Sequence, residues 1–214
     1  PVARDAWDRA IDRNDPTAFM NRAELRALVT EQGHRLFGHT HTHQACFRSN
    51  RPIQREPQEM HPGVRGIYLE MRGGMPMYPS GSAYAHNGYW PESNDPLEDK
   101  LVARTTSERI EFCLNEFTLC RERLEEVEEI PSRVMSWPWG EYDDVAIEAA
   151  LLAGYDAALS MDSGANRPGT PRFALRRIRM QGGVTSKELN RKLQVASHPL
   201  LAGLFRKTYR RPRD

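Results

Sequence analysis

The chain has 214 residues, 39% of them hydrophobic, which is enough for one domain with a substantial core. Its 30 lysines and arginines stand against 29 acidic residues, and a net charge of +1 gives no global electrostatic reason for a nucleic-acid or anionic-membrane partner. No apolar run reaches the roughly eighteen residues that a membrane-crossing helix needs.

The first residue is Pro1 rather than methionine, so the N-terminus is read as a cut end and the compartment stays open. Asn21-Arg22-Ala23-Glu24 has the form of a capping box, and Leu25, Leu28 and Val29 recur on one face, which predicts a helix over about 22–32 stopped by Gly33. His34 to Gly38 is a brief apolar run between glycines, read as a strand that delivers His39 at its C-terminal end, where α/β folds place their sites. From about 48 to 104, prolines and glycines break any long periodicity, and only Ile67 to Met71 reads as a strand; the stretch is expected to be an insertion or elaborate loop region. Its aromatic knot from Ser80 to Trp90 has the texture of a binding loop.

Order returns at Ser107, where Ile110, Cys113, Leu114, Phe117, Leu124 and Val127 follow helical spacing, predicting an amphipathic helix over 107–128. A βαβ-like sequence follows: strand Arg133 to Trp137, a Pro-Trp-Gly turn, a helix capped by Asp143 and stopped by Gly154, and strand Asp156 to Met161. A further strand is expected from Phe173 to Met180, and a helical pattern from Ser186 to about Tyr209. Such alternation implies a parallel sheet with covered faces. Arg206, Lys207, Arg210, Arg211 and Arg213 crowd the end of the chain and are read as a solvated tail. Cys113 and Cys120, on one helix, would lie roughly 10 Å apart along its axis, beyond the ~7 Å that a disulfide spans, so with Cys46 they are read as buried thiols.

Chemistry concentrates at two places. In His39-Thr40-His41-Thr42-His43, two histidines four apart in a helical turn share one face and can bind one divalent ion, zinc first, with the threonines orienting the imidazoles; His41 points elsewhere. Cys46 is a local alternative for a third ligand, since 39, 43 and 46 share a helical face. About a hundred residues later stands the stiff aromatic turn Trp137-Pro138-Trp139-Gly140-Glu141-Tyr142-Asp143.

The stretch Gly33 to His43 resembles the second motif of the polysaccharide deacetylase family, metal-dependent carbohydrate esterases that remove acetyl groups from N-acetylated sugars. Trp137 to Asp143, with the helix and Gly154-Tyr155 behind it, resembles the third. The likeness covers about residues 18–47 and 106–180. It implies an α/β fold, a distorted or incomplete (β/α) barrel formed as one domain over 1–214, with the metal on His39 and His43. It also implies an acetylated oligo- or polysaccharide as substrate, with the backbone N–H of Trp139 on the oxyanion. Trp137, Trp139 and Tyr142 would wall the substrate pocket. A rigid proline-containing turn suits that role, because its N–H is preorganised where charge develops.

The chain departs from the family pattern at several points. No Asp-Asp pair follows a strand near the start; Asp5, Asp8, Asp12 and Asp15 sit in a polar stretch, so the chain is expected to be N-terminally truncated, without its first strand. The arginine before the third motif is replaced by Met135 and Ser136, and Arg176 or Arg177 would take over the bracing of a carboxylate. Asp162, at a strand exit, is a candidate site carboxylate, and His198 is the nearest counterpart of the family's general acid. A catalytically inactive carbohydrate-binding or interaction domain of the same fold is the alternative reading. The oligomeric state is not legible in the sequence.

Overall fold

A computed structural model describes residues 20–53, 67, 74–93, 97, 100–162, 164–178, 183–198 and 201. Most of the expected strand 67–71, the end of the last helical segment, the basic tail and the four early aspartates lie outside them.

Helix α1, Arg22–Thr30, starts at the capping box read from the sequence: the Asn21 side chain accepts from Glu24 N–H, and Glu24 accepts from Asn21 N–H. Gly33, at φ +68°, turns the chain away. Helix α2, Thr106–Glu128, opens on a second reciprocal box, Thr105 with Glu108, and ends at Glu129 in the left-handed region. Helix α3, Asp144–Leu152, is capped by Asp143, whose carboxylate accepts from Ala146 N–H at 2.9 Å. Helix α4 is Ser186–Ser197.

The parallel part is shorter than the sequence pattern predicts. Strands Val134–Ser136 and Ala157–Leu159 pair in parallel, Val134 opposite Ala157 and Ser136 opposite Leu159. Among the described residues, the strands expected over 34–38 and 173–180 are each reduced to a single parallel bridge, Gly38 to Met135 and Leu175 to Leu159, with 179–180 outside them. Four segments therefore run side by side in one direction, and parallel pairing puts their C-terminal ends on one edge. That edge carries His39, the residues after Ser136, those after Leu159, and Arg176-Arg177. Gly38 is required here, because a Cβ would meet Tyr155 Oη at 2.7 Å and Cys120 Sγ at 3.3 Å. The described residues form a mixed α/β arrangement and no closed barrel.

The region expected to be loop supplies three of the four strands of an antiparallel sheet. In chain order its strands are β1 (Ala45–Phe47), β2 (Ser80–Ser82), β3 (Tyr89–Pro91) and β4 (Leu101–Ala103), with spatial order β2-β1-β3-β4. The parallel strands 134–136 and 157–159 are β5 and β6. One core cluster joins α2, α3, β5 and β6 through Cys113, Phe117, Met135, Ala146 and Ala158, with Trp137 and Tyr155 from the adjoining segments. A second, Ala45, Phe47, Met75 and Tyr78, lies under the antiparallel sheet, and Trp139 packs against it.

Candidate active site

His39 follows directly on the Gly38 bridge. Its Nδ1 lies 2.9 Å from the Ser136 carbonyl oxygen, which can only accept, so Nδ1 is the donor and, in the neutral tautomer, the lone pair is on Nε2. The segment 39–43 is a loop and not the helical turn that the spacing predicts. Thr40 and His43 stand at φ +66° and +51°, where a β-branched residue is a true outlier. The fold nevertheless brings the two imidazoles together, with centroids 4.8 Å apart. The Thr40 hydroxyl accepts from His43 N–H at 3.1 Å, which ties the loop across itself. His41 is turned inward, its Nε2 buried and without a hydrogen-bond partner.

Thr42 faces the other way, onto helix α2. Its N–H and hydroxyl both donate to Glu116 Oε2, at 2.9 and 2.8 Å, and the Tyr84 hydroxyl donates to the same oxygen at 2.9 Å. Burial, and after it the negative charge of Glu116, pushes the Tyr84 hydroxyl well above its usual range. The sequence offers no local sign of this clamp, since Glu116 belongs to an amphipathic helix rich in glutamate.

The aromatic turn meets the histidines from the neighbouring segment. Pro138–Gly140 is one turn of 3₁₀ helix with Trp139 at φ +54°, a left-handed residue in the middle. The Trp139 ring packs on His43, with centroids 4.2 Å apart and planes inclined at 55°. Backbone strain among the described non-glycine residues thus falls at Thr40, His43 and Trp139, with Glu129 the fourth; such outliers persist where surrounding structure over-determines them. Gly140, at φ +72°, sits against Met161, and a Cβ there would meet Met161 Cγ at 2.3 Å.

Trp137 does not share the role read for it. Its ring is fully buried, stacked on Tyr142 at 5.5 Å, and its Nε1 donates to the Phe173 carbonyl at 2.8 Å. A ring with no exposed surface offers no wall to a substrate; it anchors the turn to the core. Tyr142 is half-buried against it.

Of the two candidate arginines, the structure turns Arg177 toward the site. Its Nε donates to the Ser160 carbonyl at 2.7 Å and its Nη1 to Ser136 Oγ at 3.3 Å, beside the residue that holds His39. Burial lowers its pKa, and no carboxylate pairs with it among the described residues. Arg176 instead donates to the Ala165 carbonyl and orders the 165–166 loop. Asp162 is exposed at the end of β6, and its backbone carbonyl accepts from Arg177 N–H at 3.0 Å. His198 is the exposed C-terminal cap of α4. Cys46 is excluded as a ligand: it is fully buried in β1, its Sγ directed to the carbonyls of Ser82 and His86 and packed over Gly88. Burial raises its pKa to about 11.

Glu141 and His86, given no role of their own in the sequence reading, complete the surroundings. Glu141 and Trp139 line a pocket of about 180 Å³ with Ala45, Ser80 and Gly81. Glu141 Oε2 accepts from Ser82 N–H at 2.8 Å and lies 3.4 Å from His86 Nε2. The hydrogen bond from His86, then that from Ser82, outweighs partial burial and holds the Glu141 carboxyl below its usual range. As donors to a metal ion, His39 and His43 fit in chemistry and proximity. A third does not join them: no group of three His, Cys, Asp or Glu side chains suited to a metal occurs among the described residues.

No family model and no curated protein matches the chain. Solved structures do. A de-N-acetylase from Aggregatibacter actinomycetemcomitans aligns over 81% of this chain and 53% of its own, with a TM-score of 0.52 and 16% identity. The BpsB deacetylase domain from Bordetella bronchiseptica aligns over 76% and 52%, with a TM-score of 0.49 and 18% identity. The chain thus shares the fold of the first of these, a de-N-acetylase, and it spans about half the length of both structures.

Proposed function

We propose that the chain is a metal-dependent hydrolase that removes acetyl groups from N-acetylated sugars of a polysaccharide or glycan. The observation that supports this most directly is the meeting of His39, His43 and Trp139 at the C-terminal edge of the parallel segments, although about a hundred residues separate them in sequence. His39 and His43 would hold the divalent ion, zinc first, with the His39 tautomer fixed by Ser136. Such an ion, when bound, supplies Lewis acidity and lowers the pKa of water. Trp139, on its rigid turn, directs its backbone N–H to the developing oxyanion, and its ring borders the acetyl group. The Arg177 guanidinium, held at the same edge by the Ser160 carbonyl and Ser136 Oγ, would brace a carboxylate there. The distorted (β/α) barrel remains the architecture this reading implies.

The test is acetate release from N-acetylglucosamine oligomers by the chain in its full genetic context, with and without a chelator. Release that stops with the chelator and with the His39→Ala, His43→Ala double variant is the expected result. The lack of a third donor among the described residues leaves one other reading, a carbohydrate-binding domain that has kept the fold. Oligomer binding without any release of acetate from zinc-loaded protein would decide for it.

A further inference from the structure

The loop that carries the histidine pair is held from behind by a buried carboxylate. Glu116 is 4% exposed on α2, and its Oε2 takes three hydrogen bonds, two from Thr42 and one from the Tyr84 hydroxyl. Tyr84 in turn accepts from Gln44 N–H at 3.0 Å. The residues on both sides of His43 are therefore tied, directly or through one hydroxyl, to the same oxygen.

A carboxylate is an expensive way to fill a core, because its loss of hydration must be offset by partners. Glu116 has no ion-pair partner among the described residues; the arginines of its own helix go elsewhere, Arg109 to Asp143 and Arg121 to Glu125. An apolar side chain would fill the volume equally well. It would not hold Thr42, and Thr42 lies between two residues near the left-handed conformation, at φ +66° and +51° within three positions. A free chain leaves that conformation for the ordinary right-handed or extended regions. Relaxation would carry His43 away from His39 and from Trp139.

We propose that Glu116 is the positioning residue of the histidine pair: by binding Thr42 and Tyr84 it keeps the 39–43 loop in the strained conformation that brings the two imidazoles to 4.8 Å. The proposal rests on the reading of His39 and His43 as metal-holding residues and extends it to what sets their affinity.

Cobalt(II) titration of the full chain, followed by its visible absorption, tests it without reference to activity. Wild-type protein binds the ion. Glu116→Gln keeps the shape and one oxygen acceptor, and Glu116→Leu keeps neither; partners that orient metal ligands are worth 10–100-fold in affinity, so losses of about tenfold and about a hundredfold are expected. The cobalt spectrum changes with them. A merely structural role would lower the melting temperature and leave the affinity and spectrum of the folded protein unchanged. Thr42→Val, which removes one donor only, gives a smaller loss than Glu116→Gln and serves where the leucine variant does not fold. Folded Glu116→Gln and Thr42→Val proteins with wild-type affinity and spectrum would overturn the proposal. A wild-type chain that binds no cobalt would instead overturn the metal reading beneath it, so the wild type alone tells the two failures apart.

Discussion

Gly140→Ala tests whether the aromatic turn is placed by close contact or merely tolerated. At φ +72° an alanine pays a conformational penalty of about 1–2 kcal/mol. The added Cβ would also stand 2.4 Å from Met161 Cβ and 2.9 Å from Met161 N, against ordinary contacts of 3.4–4 Å, so the turn and the β6 exit must separate by about 1 Å. The methionine beyond Cβ can swing aside but Cβ and the backbone nitrogen cannot, and overpacking of this kind adds about 1–3 kcal/mol. The sum is about 2–5 kcal/mol, read from urea unfolding. Gly169→Ala is the internal control, with φ +86° and nothing within 4 Å of the new Cβ, and its loss should be the conformational part alone, about 1–2 kcal/mol. Because Trp139 precedes Gly140, a shift of about 1 Å should also cut deacetylation by about a hundredfold if the turn holds the oxyanion, whereas Gly169→Ala should leave it intact. Equal destabilisation by the two substitutions would refute the contact argument, and full activity in a destabilised Gly140→Ala would refute the catalytic one.

The His39→Ala, His43→Ala double variant should lose bound zinc by elemental analysis while His41→Ala retains it; full zinc retention in the double variant would remove the site. Asp143→Ala takes away both the α3 cap and the partner of Arg109, 2.8 Å away and with a side chain only 6% exposed. A loss of about 2–4 kcal/mol is expected in urea, less than for a fully buried pair because Asp143 is partly exposed; a loss under about 1 kcal/mol would show that Arg109 finds another partner. The lowered pKa of Glu141 makes a pH prediction. A carboxylate depressed in the folded state contributes stability above its unfolded value, ordinarily 4.5, and loses it as pH falls through the folded value. Since the hydrogen bond from His86 is the largest cause, the advantage of wild type over His86→Ala at neutral pH should shrink as pH drops below 4.5; an unchanged gap would detach His86 from Glu141.

Features legible in the sequence were those that local chemistry determines. The Asn21-Glu24 box, the Asp143 cap and the glycine stops at 33 and 154 lie where the chain's own spacing put them, because a cap needs only residues three or four positions away. The antiparallel sheet was hidden for the opposite reason. Its strands are three residues long, Ser80–Ser82 is serine and glycine, and so short a run carries no detectable period.

The two tryptophans show the limit at the site itself. The family resemblance implied that Trp137 and Trp139 wall one pocket together. Pro138 starts a 3₁₀ turn between them, and the left-handed Trp139 reverses the exit, so one ring enters the core of α2 and α3 while the other reaches His43. The histidine loop repeats the pattern. Four-residue spacing implied a helical face, but the conformation is set by Glu116, 74 residues from Thr42. The histidine pair was therefore singled out by motif while its geometry was not legible, because the backbone that aims it is strained. Strain of this kind has its causes in tertiary contacts, which no local window contains.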